Sequence, residues 1–170
     1  MKRIVTSAVL IFMILATLTS CGLKVPRPEI KSGEFDFAVT YEIGGEIKTV
    51  SGVYVCEYDG TKWALDGGSH RAWNAYIKGG MDDLIEIGTA EDGGVIRLHL
   101  NFYPEYFMGD PGWSWMGDPE PSITVSIETS EGFLMHENDS GVIEKTYGAK
   151  IVSYEYGEPI ENTFKFLGIL

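Results

Sequence analysis

The chain has 170 residues, and 25 acidic against 13 basic side chains give it a formal net charge of −12 at neutral pH. A surface of this charge repels the phosphate backbone, so we exclude nucleic acid as a partner. With two cysteines the chain offers no disulfide framework, but a hydrophobic content of 44% can supply a core.

The first twenty residues are typical of a secretion signal. Lys2 and Arg3 form a positive head, and residues 4–18 contain no charged side chain. A membrane-spanning helix needs about 20 apolar residues. Because this run is shorter and small residues follow it at once, the pattern predicts a signal peptide over residues 1–20 and not a transmembrane anchor.

The four residues Leu18-Thr19-Ser20-Cys21 resemble the bacterial lipobox. This resemblance implies that the sulfur of Cys21 is joined to diacylglycerol and that the peptide before it is then cut. Cys21 would become the lipidated first residue of an exported lipoprotein, held in the cell membrane by palmitate-type acyl chains and facing outside the cytoplasm. Two acyl chains suffice for stable anchoring.

Removal of residues 1–20 leaves 170 − 20 = 150 residues, the size of one domain, with a charge of 11 − 25 = −14. We expect anionic headgroups to repel this body, so that the lipid alone contacts the membrane. Residues 21–33 contain two prolines and no amphipathic period, which predicts the lipidated cysteine and a tether. A single β-rich domain is then expected over residues 34–170.

The first predicted strand alternates apolar and polar residues, as a half-buried strand does. Gly44-Gly45 follows and predicts a tight hairpin turn into the run that contains Cys56. Gly52 within that run suggests a bulge or bend, and Asp59-Gly60 is expected to end it. The residues that share the apolar face of the first strand are Phe35, Phe37, Val39, Tyr41 and Ile43.

Further strand patterns follow at short spacing, and one segment has a helical pattern. Strands are predicted within residues 71–79, 83–89, 95–103, 122–129, 149–156 and 162–170, the last of which could close the sheet. Residues 138–148 predict a short helix with Gly148 just after its end. The pattern predicts a mainly β fold, an antiparallel sandwich or open barrel of about eight strands with one short helix. An α+β fold, with one helix packed on an antiparallel sheet, is the alternative.

Most of the mature chain resembles uncharacterised small lipoproteins of Gram-positive bacteria. The stretches that carry the resemblance are VYVCEYDG, HRAWNAYIKG and AKIVSYEYGEPIENTFKF. This group brings no activity with it, so the resemblance implies a location and not a reaction.

Residues 103–121 contain five aromatic residues, four prolines and a repeated MGDP. This composition cannot form a regular strand, and long structured loops often carry function. In one interpretation the loop covers an open end of the sheet and its tryptophans fill the core. In the other, aromatic rings stack on a sugar while carboxylates accept its hydroxyl groups. The candidate ligand-binding residues are Tyr106, Asp110, Trp113, Trp115 and Asp118.

The remaining patterns favour binding over catalysis. The sequence contains no GxSxG, no phosphate loop and no Ser-x-x-Lys set, and its three histidines lack the spacing of a zinc site. Cys56 lies in an apolar run and is expected to be a buried, inert thiol. We therefore predict no cofactor, no metal and no enzymatic activity. The expected function is non-catalytic: a membrane-tethered surface domain presents a β-rich face to an unknown envelope protein or other envelope component. A glycan- or cell-wall-binding module that uses residues 103–121 is the alternative, and a hydrolase is a lesser one.

Overall fold

The computed structural model describes residues 25–63, 68–110, 120–128, 134–137 and 141–165. Within these ranges the fold is mainly β, with two four-stranded antiparallel sheets and a two-stranded ribbon. Two short helices, α1 (Pro104–Phe107) and α2 (Gly141–Tyr147), accompany the strands. The prediction of a mainly β, antiparallel fold with a short helix is confirmed. The strands are β1 (Arg27–Pro28), β2 (Ser32–Ile43), β3 (Glu46–Trp63), β4 (Ser69–Ile77), β5 (Leu84–Thr89), β6 (Val95–Asn101), β7 (Ser122–Glu128), β8 (Leu134–Glu137), β9 (Ala149–Tyr156) and β10 (Phe164–Lys165).

The two larger sheets are open. The first sheet has the strand order β4-β3-β2-β9, and the second sheet has the order β5-β6-β7-β8. Within the first sheet β2, β3 and β4 pair in sequence order, and within the second sheet β5, β6, β7 and β8 do the same. The chain crosses between the sheets after β4 and again after β8, and β9 pairs with β2. Each sheet therefore keeps two edge strands, and the described strands form no closed barrel.

The hydrophobic core lies between the inner faces of the two sheets. Alternate side chains of β2, β6 and β7 point inward, as the period of two in the sequence predicts, and they belong to one buried cluster. On the opposite faces of these strands most side chains are polar. The inward residues of the three strands are Phe35, Phe37, Val39, Tyr41, Ile96, Leu98, Leu100, Ile123, Val125 and Ile127.

The segment around α1 closes one end of this core. Phe107 and Met108 are fully buried, and the Phe107 ring lies 4.8 Å from that of Phe35 and 5.3 Å from that of Tyr54. Gly109 then turns the chain with φ +57°. A Cβ at this position would collide with the carbonyl oxygen of Ile160, whose own N–H donates to the carbonyl of Phe107. Only glycine allows this close approach of the two backbones.

Gly52 and Gly60, both in β3, do not have the roles that the sequence predicted for them. Gly52 lies in regular register opposite Phe37, with no bulge, and the ring of Phe37 fills the space where a side chain would stand. The irregularity falls instead at Asp59 and Gly60, with φ +88° at Gly60. These residues do not end the strand, because β3 continues to Trp63 in pairing with β4.

Residues 25–33, predicted to be part of a tether, are hydrogen-bonded to the domain. The strand β1 pairs with β10, the backbone of Ile30 exchanges two hydrogen bonds with the Asn162 amide, and the Tyr58 N–H donates to the carbonyl of Lys31. Hydrogen-bonded structure is therefore present before Glu34, and its first strand is β1. The described part of the last predicted strand, β10, pairs with β1 and closes neither larger sheet.

We expect Gly109→Ala to lower the free energy of unfolding by about 1–3 kcal/mol more than Gly44→Ala does. The two glycines have nearly the same φ, +57° and +58°, but a Cβ at Gly44 meets nothing within 4 Å. The difference between the variants therefore isolates the collision with Ile160 from the cost of the left-handed backbone. Urea unfolding of the purified protein measures both values, and equal losses would contradict the proposed close contact.

Candidate binding surface

The structure describes two of the five candidate ligand-binding residues. Trp113, Trp115 and Asp118 lie outside the described residues, and so does Cys21. Tyr106 and Asp110 are described, and they lie in different surroundings. The roles predicted for the residues outside the described ranges stay predictions.

Tyr106 lies on α1, which begins at Pro104. Proline suits the first turn of a helix because its missing N–H has no partner there in any case. The helix turns Phe107 into the core and leaves Tyr106 half-buried beside β9. The ring of Tyr106 meets the ring of Tyr156 edge-on at 6.0 Å. The beginning of the aromatic segment is thus fixed against the edge of the first sheet.

The last strand of the first sheet contributes two tyrosines to this edge. Tyr154 and Tyr156 are two residues apart on β9, so they share one face, and their rings lie 6.2 Å apart at an angle of 19°. Tyr154 is 47% exposed, and β9 is an edge strand of its sheet. We call Tyr106, Tyr154 and Tyr156 the tyrosine surface.

The electrostatics of Tyr156 reflect its burial and its neighbours. Burial, followed by a hydrogen bond with Tyr106, raises the pKa of Tyr156, and the negative charge of Glu120 raises this pKa by a smaller amount. Glu120 is exposed. The contact with Tyr106 therefore joins the aromatic segment to Tyr156.

A shallow depression lies between β2 and the end of β9, and Tyr156 forms part of its wall. Its volume of about 240 Å³ is below the ~300–1,000 Å³ typical of pockets for drug-sized ligands. Asp36 and Glu155 give it an acidic rim. Its size suits contact with part of a larger ligand better than enclosure of a whole one.

Asp110 is held in a buried ion pair. Its carboxylate accepts hydrogen bonds from the Arg71 guanidinium, with Nε at 2.6 Å from one oxygen, and from the indole N–H of Trp73 at 3.0 Å. The side chains of Arg71 and Asp110 are 8% and 1% exposed. These contacts give the Asp110 carboxylate a structural role. A ligand could reach it only by displacing its buried partners.

Arg71 also joins the two ends of the described chain. Its Nη1 donates to the carbonyl of Pro26 at 3.3 Å, and its guanidinium lies 4.3 Å from the centre of the Phe164 ring. A guanidinium can make these contacts together because it is planar and carries five donors. We call the contacts of Arg71 with Pro26, Asp110 and Phe164 the arginine clasp.

The outer face of the second sheet carries a row of polar pairs between β6 and β7. Asn101 donates to Thr124, His99 shares a hydrogen bond with Ser126, and Arg97 pairs with Glu128. Each pair is diagonal by two residues in the register of the two strands, so the row repeats regularly. Ser126 is fully buried, which leaves its hydroxyl no open path to a substrate in this conformation.

Cys56 is fully buried in the core, on the inner face of β3. Burial, with a smaller effect of the charge of Glu105, raises the pKa of its thiol to about 12. The thiolate, which is the reactive form, is therefore scarce at neutral pH. The prediction that Cys56 is buried is confirmed.

No group of three or more His, Cys, Asp or Glu side chains in the described ranges is arranged to hold a metal ion. Among the same residues, no helix combines the length and the apolar character that crossing a membrane requires.

No protein-family model, curated protein or solved structure matches this chain. The likeness to bacterial lipoproteins therefore rests on the sequence patterns themselves.

The sequence prediction missed Tyr154 and Tyr156 as members of the tyrosine surface. The two tyrosines carried a signal, because they share one face of a predicted strand. That the strand is an edge strand, and that α1 packs beside it, depends on the order of the strands in the sheet.

We expect Arg71→Met to lower the free energy of unfolding by about 3–5 kcal/mol, because the change leaves the Asp110 carboxylate buried without its cation. Lys78→Met is the matched control. Lys78 pairs with Glu34 at 3.0 Å, but the two side chains are 60% and 58% exposed, so its loss should cost only about 0–1 kcal/mol. Denaturant titration compares the two, and similar small losses would show that the arginine clasp adds little stability.

Proposed function

We propose that this chain is the precursor of a lipid-anchored domain that faces outside the cytoplasm and binds an envelope component without catalysis. The positive head, the short uncharged run and the lipobox-like residues Leu18 to Cys21 support the anchor. The first described strand, β1, follows this segment after five residues. In this proposal the membrane partner is reached through acyl chains on Cys21.

The observation that carries the binding role is the tyrosine surface. Tyrosine rings supply a large contact area at small entropic cost, and they can also hydrogen-bond, which is why they are enriched at protein interfaces. Here an exposed ring, Tyr154, lies parallel to a half-buried one, Tyr156, at an edge strand. The half-buried ring is held in place by Tyr106, so a partner would meet a partly ordered surface.

The second candidate is a glycan- or cell-wall-binding module. Near-parallel rings with a carboxylate beside them suit the apolar face and the hydroxyl groups of a sugar. The 19° angle between the rings of Tyr154 and Tyr156 and the carboxylates of Asp36 and Glu155 around the adjacent depression favour this candidate. Trp113 and Trp115 belong to the same segment as Tyr106 and Glu120, and in this proposal they extend the surface.

We expect Cys21→Ser to abolish membrane retention, because the substitution removes the sulfur that would carry diacylglycerol. Fractionation of cells that express the full chain, with mass spectrometry of the N-terminus, measures both retention and modification. The wild-type chain should begin at an acylated Cys21. An unmodified Cys21, or a leader that stays attached after export, would disprove the anchor.

We expect Tyr154→Ala to weaken binding of soluble cell-wall glycan fragments by roughly 3- to 10-fold, the equivalent of about 0.5–1.5 kcal/mol for one ring contact. Tyr76→Ala is the control, since Tyr76 is 46% exposed on β4 at the other edge of the first sheet, against 47% for Tyr154. Titration followed by tryptophan fluorescence and calorimetry measures the affinities. Equal effects of the two variants, or no binding by the wild type, would reject the glycan candidate and leave a protein partner as the alternative.

A further inference from the structure

The chain enters the domain at a fixed point near its N-terminus. Val25 is the first described residue, and the next residue, Pro26, is bound through its carbonyl by Arg71. Immediately afterwards, β1 pairs with β10. The arginine clasp and the β1–β10 ribbon therefore fix the point on the domain to which the preceding residues are attached.

If Cys21 carries the lipid, as the proposed function requires, this point must lie close to the membrane. Four peptide steps separate Cys21 from Val25, and an extended chain covers at most about 14 Å in four steps. That length is too short to let the domain rotate freely above the bilayer. The side of the domain around Pro26 must face the lipid.

An exposed tryptophan lies on that side. The strand β3 extends past the start of β2, because Ser32 pairs with Glu57 and β3 ends six residues later, at Trp63. Arg71, which binds Pro26, is the register partner of Thr61. Trp63 therefore lies about 7 Å farther along the strand. It is 71% exposed, more than any other large hydrophobic residue of the described part.

Basic side chains also lie at this end of the molecule, together with the carboxylates of Glu29, Asp59 and Asp110. Half of the ten basic residues in the described ranges lie there, while the mature chain carries a charge of 11 − 25 = −14. Three of the five pair with a carboxylate, and the other two, Arg27 and Lys31, are exposed. The five residues are Arg27, Lys31, Lys62, Arg71 and Lys165.

We propose that the end of the domain around Trp63 is a second membrane contact, in which the indole enters the interface between headgroups and acyl chains while Arg27 and Lys31 meet phosphates. This inference rests on the proposed lipid at Cys21. Tryptophan favours this interface because its ring is apolar and its N–H is polar. Basic side chains beside an acyl anchor add to membrane attachment. This inference departs from the expectation, based on net charge, that the lipid alone touches the membrane, because Trp63, Arg27 and Lys31 are exposed near the chain entrance.

The test uses the full chain, produced in a bacterial host that processes lipoproteins and reconstituted into vesicles of phosphatidylcholine and phosphatidylglycerol. Part of each vesicle lipid carries bromine on its acyl chains, which quenches tryptophan at the interface. We expect quenching of the wild type and loss of that component in Trp63→Phe. A Trp63→Phe/Tyr154→Trp variant places a reporter on the tyrosine surface, and it should show no more quenching than Trp63→Phe.

The outcomes separate the inference from the proposed function. If the protein carries its acyl mass and stays with the vesicles, but the wild type and Trp63→Phe are quenched equally, the second contact is wrong and the anchor stands. If the acyl mass is absent and the protein washes off, the anchor fails, and the inference fails with it because nothing then holds the Pro26 side near the bilayer. Quenching of the Tyr154→Trp reporter would show that another side faces the lipid.

Discussion

The geometry of this domain depends on one buried guanidinium. Arg71 lies on β4 and reaches the chain entrance at Pro26, the carboxylate of Asp110 after α1, and the ring of Phe164 in β10. These partners are far apart in sequence and belong to no common sheet. A buried charge must have its partners satisfied, so the arginine fixes them in one arrangement. The entrance of the chain, the closure of the core by α1 and the C-terminal ribbon are therefore coupled.

This coupling relates the core to both candidate surfaces. On one side of α1, Phe107 is fully buried among the aromatic rings of β2 and β3, and on the other, Tyr106 contacts Tyr156. Asp110, three residues after Phe107, connects the same segment to Arg71. The segment of α1 therefore contacts both the tyrosine surface, through Tyr106, and the residue that binds the chain entrance, through Asp110. In the proposed function, a domain anchored at its entrance would present the tyrosine surface in a defined orientation to the membrane.

Local patterns predicted the strands well where one face is buried. The period of two in β2, β6 and β7 gave the inward residues correctly, because a strand covered on one side must alternate. The hairpin at Gly44-Gly45 and the short helix before Gly148 followed from glycines that take positive φ. Where a glycine serves packing instead, the local pattern misled. Gly52 suggested a bulge, but its absent side chain makes room for the Phe37 ring, and the bulge lies at Asp59 and Gly60.

The sequence by itself determined the fold class, the antiparallel strands and their inner faces, because these follow from alternation and turn chemistry within a few residues. It also supplied the whole basis for the predicted lipid at Cys21. Only the tertiary structure decided that residues 25–33 belong to the domain, that Asp110 pairs with Arg71, and that Tyr154 and Tyr156 meet the segment of Tyr106. Each of these features joins residues distant in sequence, and their meeting depends on strand order and on which charges become buried together. A local sequence period contains information on neither the strand order nor the pairing of buried charges.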